Sequence, residues 1–300
     1  MITMYNLSGG QEDMFLIIIE DNVRILIDSG NTMEDCKRKI KELNEKENNV
    51  DVIDYIILTH IDQDHIKGFL RLLKDGHDDT VIIYNKFING LISYKQAEKF
   101  EKLIRGHKVV VSYKEYQDNF GDIIFLSPEQ RRKYRIKKEE IYITFLNPPK
   151  EKVAELYQNY QYYKKTGKKK SNDAKVVNGS SVIFILEYDE KAILMSGDGY
   201  IADIIPHIAI LSDKEKTYCP INKLDLIKIP HHGSKDNNEK LDKLLEIMNC
   251  NKFIITNGDK GNVKIENGLK EILKDKEVYV SDNCDKYGEL TIKTECKITI

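Results

Sequence analysis

Three times in this 300-residue chain a short apolar run breaks off into residues that can bind a cation or turn tightly. Residues 52–58 lead into Thr59-His60-Ile61-Asp62-Gln63-Asp64-His65, and residues 191–195 lead into Ser196-Gly197-Asp198-Gly199. Residues 226–229 lead into Pro230-His231-His232-Gly233-Ser234. Apolar runs this short suit buried strands. Of the seven histidines, four lie in the first and third junctions, a placement chance seldom gives, so the three junctions describe one site.

The rest of the chain agrees with strands alternating with helices. Residues 14–19 and 23–27 are β-rich runs joined around Asp21-Asn22, which predicts a hairpin. A charged stretch over 32–46 permits a helix. Helices are predicted at 66–73, 94–104, 151–165, 201–211 and 239–248. Strands are predicted at 81–84, 109–111, 123–126, 141–146, 181–187, 253–256, 278–281 and 289–294, and an exposed loop at 166–175. Hairpins at both ends with alternation between them imply a layered α/β protein with mixed sheets. The length allows two ordinary domains or one large one, with core enough to fold without metal or disulfide.

In the first junction, four possible ligands fall within six residues. In an extended segment alternate side chains share a face, so His60, Asp62 and Asp64 converge, and His65 joins them as the chain turns into a helix. Mixed imidazole and carboxylate ligation suits zinc, manganese or iron better than calcium. A polar loop with an aspartate capping the helix is the bland alternative. Gly197-Asp198-Gly199 taken alone is most simply a turn, and Gly233 lets the backbone after the histidine pair approach something closely.

Taken together, Thr59-His60-x-Asp62-x-Asp64-His65, Ser196-Gly197-Asp198 and Pro230-His231-His232-Gly233-Ser234 resemble the metallo-β-lactamase superfamily in order and spacing. Within it the chain is most similar to the hydrolase domain of ComEC-type DNA-uptake proteins and their soluble relatives. That subgroup also has Asp in place of the second His of His-x-His-x-Asp-His. Its Gly-Gln-x-Asp element is matched by Gly10-Gln11-Glu12-Asp13, and its Asn-x-x-Ser by Asn178-Gly179-Ser180-Ser181. The resemblance implies a single domain over 1–300, a four-layer αββα sandwich with two mixed β-sheets and one or two divalent ions, Zn²⁺ or Mn²⁺, at one edge.

Carried over residue by residue, it implies that His60 and Asp62 hold one ion. Asp64, His65 and His231 would hold the second, Asp198 would bridge, and Asp28 would support the loop. His232 is the other choice for the second ion. In the first choice His232 is catalytic with Asp64, protonating the leaving group or stabilising charge on the substrate. Most members supply a further His to the first ion, and here that region reads Val177-Asn178-Gly179. Asn178 is the available substitute, and single-ion occupancy or manganese in place of zinc stays open. The implied activity is hydrolysis by a metal-activated hydroxide, most readily of phosphodiesters in DNA or RNA. A small phosphodiester, lactone or other ester is the alternative substrate, and a non-catalytic binding or regulatory module is the more distant reading.

Charge bears on the substrate. The chain has 47 Lys+Arg and 49 Asp+Glu, a net of −2, which excludes a protein that is basic throughout. The sum hides a window: residues 131–175 hold 14 Lys+Arg against 5 Asp+Glu, with six tyrosines interleaved. Cations beside aromatic faces are what single-stranded nucleic acid binding uses. The window, about 129–176, reads as an insertion overhanging the site, and Arg131, Arg132, Lys168, Lys169 and Lys170, with Lys235 after the third junction, are candidate substrate contacts. Solvated lysines and one packed tyrosine face are the alternative. No apolar run approaches the roughly 18 residues of a membrane span. Five scattered cysteines (Cys36, Cys219, Cys250, Cys284, Cys296) with no C-x-x-C pair suit reduced thiols in the cytoplasm. A soluble nuclease there calls for a regulatory protein partner; the oligomeric state is open.

Overall fold

In the computed structural model, the residues described are 1–47, 52–74, 79–85, 95–111, 123–125, 132–136, 141–213, 221–257, 264–281, 287–288 and 290–300. The opening strands show how the layers form. β1 (Ile2–Asn6), β2 (Phe15–Ile19) and β3 (Val23–Ile27) pair antiparallel, and all five residues of β2 are buried. Successive side chains in a strand point to opposite faces. Phe15, Ile17 and Ile19 therefore join one core, and Leu16 and Ile18 join another. A sheet buried on both faces needs an apolar partner on each, which is the origin of the layering. The β2–β3 turn takes positive φ at Glu20 and Asp21, a turn twist that matches paired strands.

The first sheet continues through β4 (Tyr55–Ile57), β5 (Val81–Tyr84) and β6 (Val109–Val111), all parallel to β3. The second contains β7 (Ile123–Phe125), β8 (Arg132–Ile136), β9 (Ile141–Asn147), β10 (Ile183–Tyr188) and β11 (Lys191–Met195), paired antiparallel. It then runs parallel through β12 (Leu226–Lys228), β13 (Lys252–Ile255), β14 (Glu277–Val280) and β15 (Ile292–Lys293). β16 (Lys297–Thr299) returns to pair with β1. Both sheets are thus mixed.

One core lies between the sheets, contributed by Ile17, Ile25, Ile143, Phe184 and Ile193 among others. A second packs Leu16, Leu26 and Ile56 against helices carrying Ile40, Phe69, Phe100, Val153 and Leu156. A third packs Ile185, Leu194 and Ile227 against helices carrying Ile204, Ile208, Leu244 and Leu269. The order is helix, sheet, sheet, helix.

Two expectations need correction. The helix expected over 66–73 is two one-turn helices, Gln63–Ile66 and Phe69–Leu72, separated at Gly68. The exposed loop expected over 166–175 gives way to a helix, Asp173–Gly179, whose Val176 and Val177 are buried. The basic window is woven into the fold. β8 and β9 form an antiparallel pair in the second sheet, and the helix Lys150–Thr166 lays Val153, Leu156 and Tyr160 on the outer core of the first. No helix among the described residues is long and apolar enough to cross a membrane.

Candidate metal centre

Five parallel strands end at one edge, and each delivers a polar residue there. Asp28 follows β3, Thr59 and His60 follow β4, and Asp198 follows β11. His231 and His232 follow β12, and Thr256 follows β13. Crevices outside the carboxyl ends of parallel strands are where layered α/β proteins collect ligands. The two halves meet through the Val182 amide, which donates to the Thr59 carbonyl at 2.8 Å. Gly197 at φ +50° closes the approach, since a Cβ there would lie 2.8 Å from the Thr59 Cβ. His231 and His232 both take left-handed backbone (φ 46° and 55°), so one tight turn turns both rings towards the centre. Non-glycine residues held there store strain, which clusters at functional sites.

Hydrogen bonds fix the ring orientations. The Asp28 carboxylate accepts from the Thr59 amide (2.8 Å) and hydroxyl (2.6 Å), and lies 2.7 Å from His65 Nδ1. The Thr59 hydroxyl, already donating to Asp28, accepts from His60 Nδ1 at 3.1 Å. One carboxylate therefore orients two imidazoles. On the other side, Thr256 Oγ1 donates to Asp13 at 2.6 Å and so accepts from His232 Nδ1 at 2.9 Å. The Asn237 side chain donates to the Asp198 carbonyl at 2.7 Å and accepts from His231 Nδ1 at 2.9 Å. With Nδ1 as donor, each neutral ring keeps its Nε2 lone pair for the centre, the arrangement that metal-binding histidines show.

These Nε2 atoms converge with carboxylate oxygens. Asp198 Oδ2 lies 3.8 Å from His60 Nε2, 3.5 Å from His65 Nε2 and 3.8 Å from His231 Nε2. Asp64 Oδ2 lies 3.7 Å from His65 Nε2 and 3.6 Å from His232 Nε2, and Asp62 is 3.9 Å from His60. His60 Nε2 and His65 Nε2 are buried with no hydrogen-bond partner. Buried polar atoms are nearly always paired, so two orphaned lone pairs facing a shared carboxylate fit a bound cation. Groups of ligand atoms within 4.8 Å are His60–His65–Asp198 and Asp64–His65–His232.

Charge points the same way. Five carboxylates, those of Asp13, Asp28, Asp62, Asp64 and Asp198, share the site with one ammonium, Lys228, which pairs with Asp13 and lies 3.7 Å from Asp198. With neutral imidazoles four negative charges remain, the charge of two divalent ions. Burial, then the neighbouring His65, pushes His60 down to about 3. Burial and Asp64 push Asp62 up to about 6. For His65, burial opposes protonation, but Asp28, Asp198 and Asp64 outweigh it and hold the ring well above its ordinary value. Asp198 is the mirror case: burial opposes ionisation, and His65, His232 and Lys228 hold the carboxyl well below the usual range.

The structure therefore gathers His60, Asp62, Asp64, His65, Asp198, His231 and His232 at one place. It groups His232, which is 1% exposed, with Asp64 and His65. His231, with a 30% exposed side chain, keeps its Nε2 3.8 Å from Asp198 while bordering the adjoining cleft. Asn178 is buried with an unpartnered Oδ1 and lines the adjoining cleft. That cleft, about 920 Å³, is bordered by His231, Tyr200, Lys152 and Lys175, and also by Glu155, Asp203, Asp236 and Glu239. Its walls are mixed in charge, and Lys152 pairs with Asp203.

The expected substrate contacts are dispersed. Lys168 is exposed, and Lys170 lies 5.7 Å over the Tyr162 ring. Lys169, with a 57% exposed side chain, pairs with Asp173 at 3.3 Å. Lys235 turns to Glu266 at 3.8 Å. Arg131 lies outside the described residues, as does the side chain of Arg132. The tyrosines divide: Tyr160 is buried, while Tyr162 is 41% exposed. Sequence reasoning assigned no role to Asp13, Lys228, Thr256 or Asn237. The signals were the place of Asp13 in the Gly10-Gln11-Glu12-Asp13 element and Lys228, a lysine inside an otherwise apolar strand.

Residues 7–139 match the metallo-beta-lactamase superfamily model. No curated protein matches the sequence. Among solved structures, the metallo-beta-lactamase fold protein YhfI from Bacillus subtilis superposes with a TM-score of 0.50 at 13% identity, covering 93% of this chain and 95% of that one. The short form of human tRNase Z gives a TM-score of 0.48 at 13% identity, covering 100% and 99%. At 13% identity the likeness to YhfI is one of fold. The match over residues 7–139, the layered architecture and the histidine–aspartate centre agree with the metallo-beta-lactamase sandwich fold.

Proposed function

We propose that this protein is a metal-dependent hydrolase of phosphodiesters, with nucleic acid as the first substrate class to test. The observation that carries the reading is the set of oriented Nε2 atoms, two of them orphaned, around Asp198. His60, Asp62 and Asp198 would hold one divalent ion. Asp64, His65 and His232 would hold a second, with Asp198 shared. Mixed nitrogen and oxygen donors suit Zn²⁺ or Mn²⁺. Asn178, buried with an unpartnered Oδ1 at the wall of the adjoining cleft, would be the substitute donor where the superfamily pattern has a histidine. Such an ion lowers the pKa of its bound water towards 7 and polarises the oxygen under attack.

The two adjacent histidines exchange the roles expected of them. His232, buried and tied to Thr256, is placed to ligate. His231, at the junction of the centre and the cleft, is placed to meet the leaving group, its ring held by Asn237. Support for a polyanionic substrate comes from the exposed Lys168 and Lys169 after the helix Lys150–Thr166 and from the likeness of the motifs to ComEC-type hydrolase domains. Three free thiols among the described cysteines suit a cytoplasmic enzyme, and a regulatory partner would restrain it there.

The mixed charge of the cleft favours a second reading, in which the substrate is a small phosphodiester, lactone or other ester. Labelled single- and double-stranded DNA and RNA, and bis-p-nitrophenyl phosphate, are incubated with the protein in zinc, manganese and magnesium. Cleavage of an oligonucleotide, reduced by about 10³-fold in Asp198→Ala, is the expected result. Hydrolysis of the small substrates alone would replace the nucleic acid reading, and no bound metal with no hydrolysis would leave a binding module.

A further inference from the structure

The network has one member that the hydrolytic reading does not use. Lys228 comes from the middle of the second sheet and is 0% exposed. A lysine so buried must have its charge and its donors satisfied. Its Nζ pairs with the Asp13 carboxylate, donates to the Gly197 carbonyl at 2.9 Å and lies 3.7 Å from Asp198 Oδ1. The other Asp198 oxygen, Oδ2, is the one that faces His60, His65 and His231.

Asp13 in turn holds Thr256, and Thr256 holds His232. The loop that carries Asp13 is itself fixed, because Glu12 accepts from the Gly9 and Asn31 amides at 3.0 and 2.8 Å and pairs with Lys39 at 2.9 Å. Asp13, Asp28 and His65 also form a third group of converging ligand atoms. An ammonium already paired with Asp13 occupies the cationic role in that corner.

We propose that Lys228 is a positioning residue that ties Asp13 to Asp198, so that one buried ammonium sets both the His232 ring and the ion-facing oxygen of the shared aspartate. It acts as a built-in cation that keeps Asp13 out of the ligand set. The inference rests on the two-ion reading of the same site.

Two roles for Lys228 make opposite predictions about metal affinity. If it only neutralised charge, Lys228→Met would leave the site one unit more negative and divalent ions would bind more tightly. If it positions Asp13 and Asp198, they bind more weakly, by tenfold or more, as when residues behind a metal's ligands are removed. Manganese and zinc affinities are measured by chelator competition, and metal content by elemental analysis, on protein with native circular dichroism. Should Lys228→Met not fold, Lys228→Met with Asp13→Asn removes the pair at constant net charge and keeps an acceptor for Thr256. Weakening of fivefold or more in the folded variant supports the proposal. Tighter binding, or a change short of fivefold, overturns it. Wild-type protein that binds no divalent ion overturns instead the hydrolase reading on which the proposal rests.

Discussion

Asp28 stands at φ +53°, directly after β3, and orients His65 directly and His60 through Thr59. Asp28→Asn preserves size and tolerates the same backbone. Its amide would present an N–H to His65 Nδ1, forcing the proton onto Nε2 and removing the lone pair the ion needs. The expected loss is about 10–100-fold in metal affinity, read by chelator competition. Protonation makes a second test. Without metal, His65 holds its proton well above the ordinary imidazole value of 6.5, whereas His60, at about 3, is already neutral. Metal binding must therefore expel the His65 proton, and affinity must rise with pH up to the raised pKa. Below about 6 Asp62 is protonated too, so proton release grows and affinity falls further as pH drops. Calorimetry in buffers of different ionisation heat measures this release; none at pH 7 would contradict the assignment. The thiols give a simpler check. Burial pushes Cys36 and Cys250 up to about 12. Folded protein should leave both unalkylated by iodoacetamide while exposed Cys296 is labelled, as peptide mass spectrometry would show.

At the scale of elements, the junction between the helices Gln63–Ile66 and Phe69–Leu72 bears most on the centre. A Cβ on Gly68 would lie 2.2 Å from the Ser29 carbonyl and 2.6 Å from Cys36 Cβ, neither of which is a flexible end. Ser29 also receives the helix, donating to the His65 carbonyl at 2.7 Å and accepting from the Phe69 amide at 3.0 Å. Gly68→Ala should therefore destabilise by about 1–3 kcal/mol, seen as a lower urea midpoint, and loosen His65 with it. The same junction explains why one helix was expected over 66–73: apolar spacing carries through Gly68, and only the close approach of Ser29 breaks it. β8 was missed for a related reason. Arg132, Lys133 and Arg135 give it the composition of a surface, and only its antiparallel pairing with the neighbouring β9 makes it a strand.

For the whole molecule, the near-neutral total conceals a division between an acidic scaffold and a basic window. If the lysine-bearing loop after the helix Lys150–Thr166 binds a polyanion, Lys168→Gln with Lys170→Gln should weaken single-stranded oligonucleotide binding. The slope of log affinity against log salt should fall by about 0.7 for each phosphate that is no longer neutralised, measured by fluorescence anisotropy. An unchanged slope would place the polyanion elsewhere or remove it. The sequence by itself determined the layered class, the hairpins and which His and Asp residues meet at the strand ends, because burial imposes apolar runs on strands and leaves polar residues to their ends. It favoured His231 over His232 as the partner of Asp64, since adjacent residues differ only in where a left-handed turn sends them. It named Asp13 only as part of a motif and was silent on Thr256 and Lys228, residues separated by up to 243 positions in the chain and joined in one hydrogen-bonded network. Local pattern records which residues must be buried or must bind; which distant side chains share a proton or a charge is decided only when two sheets close on each other.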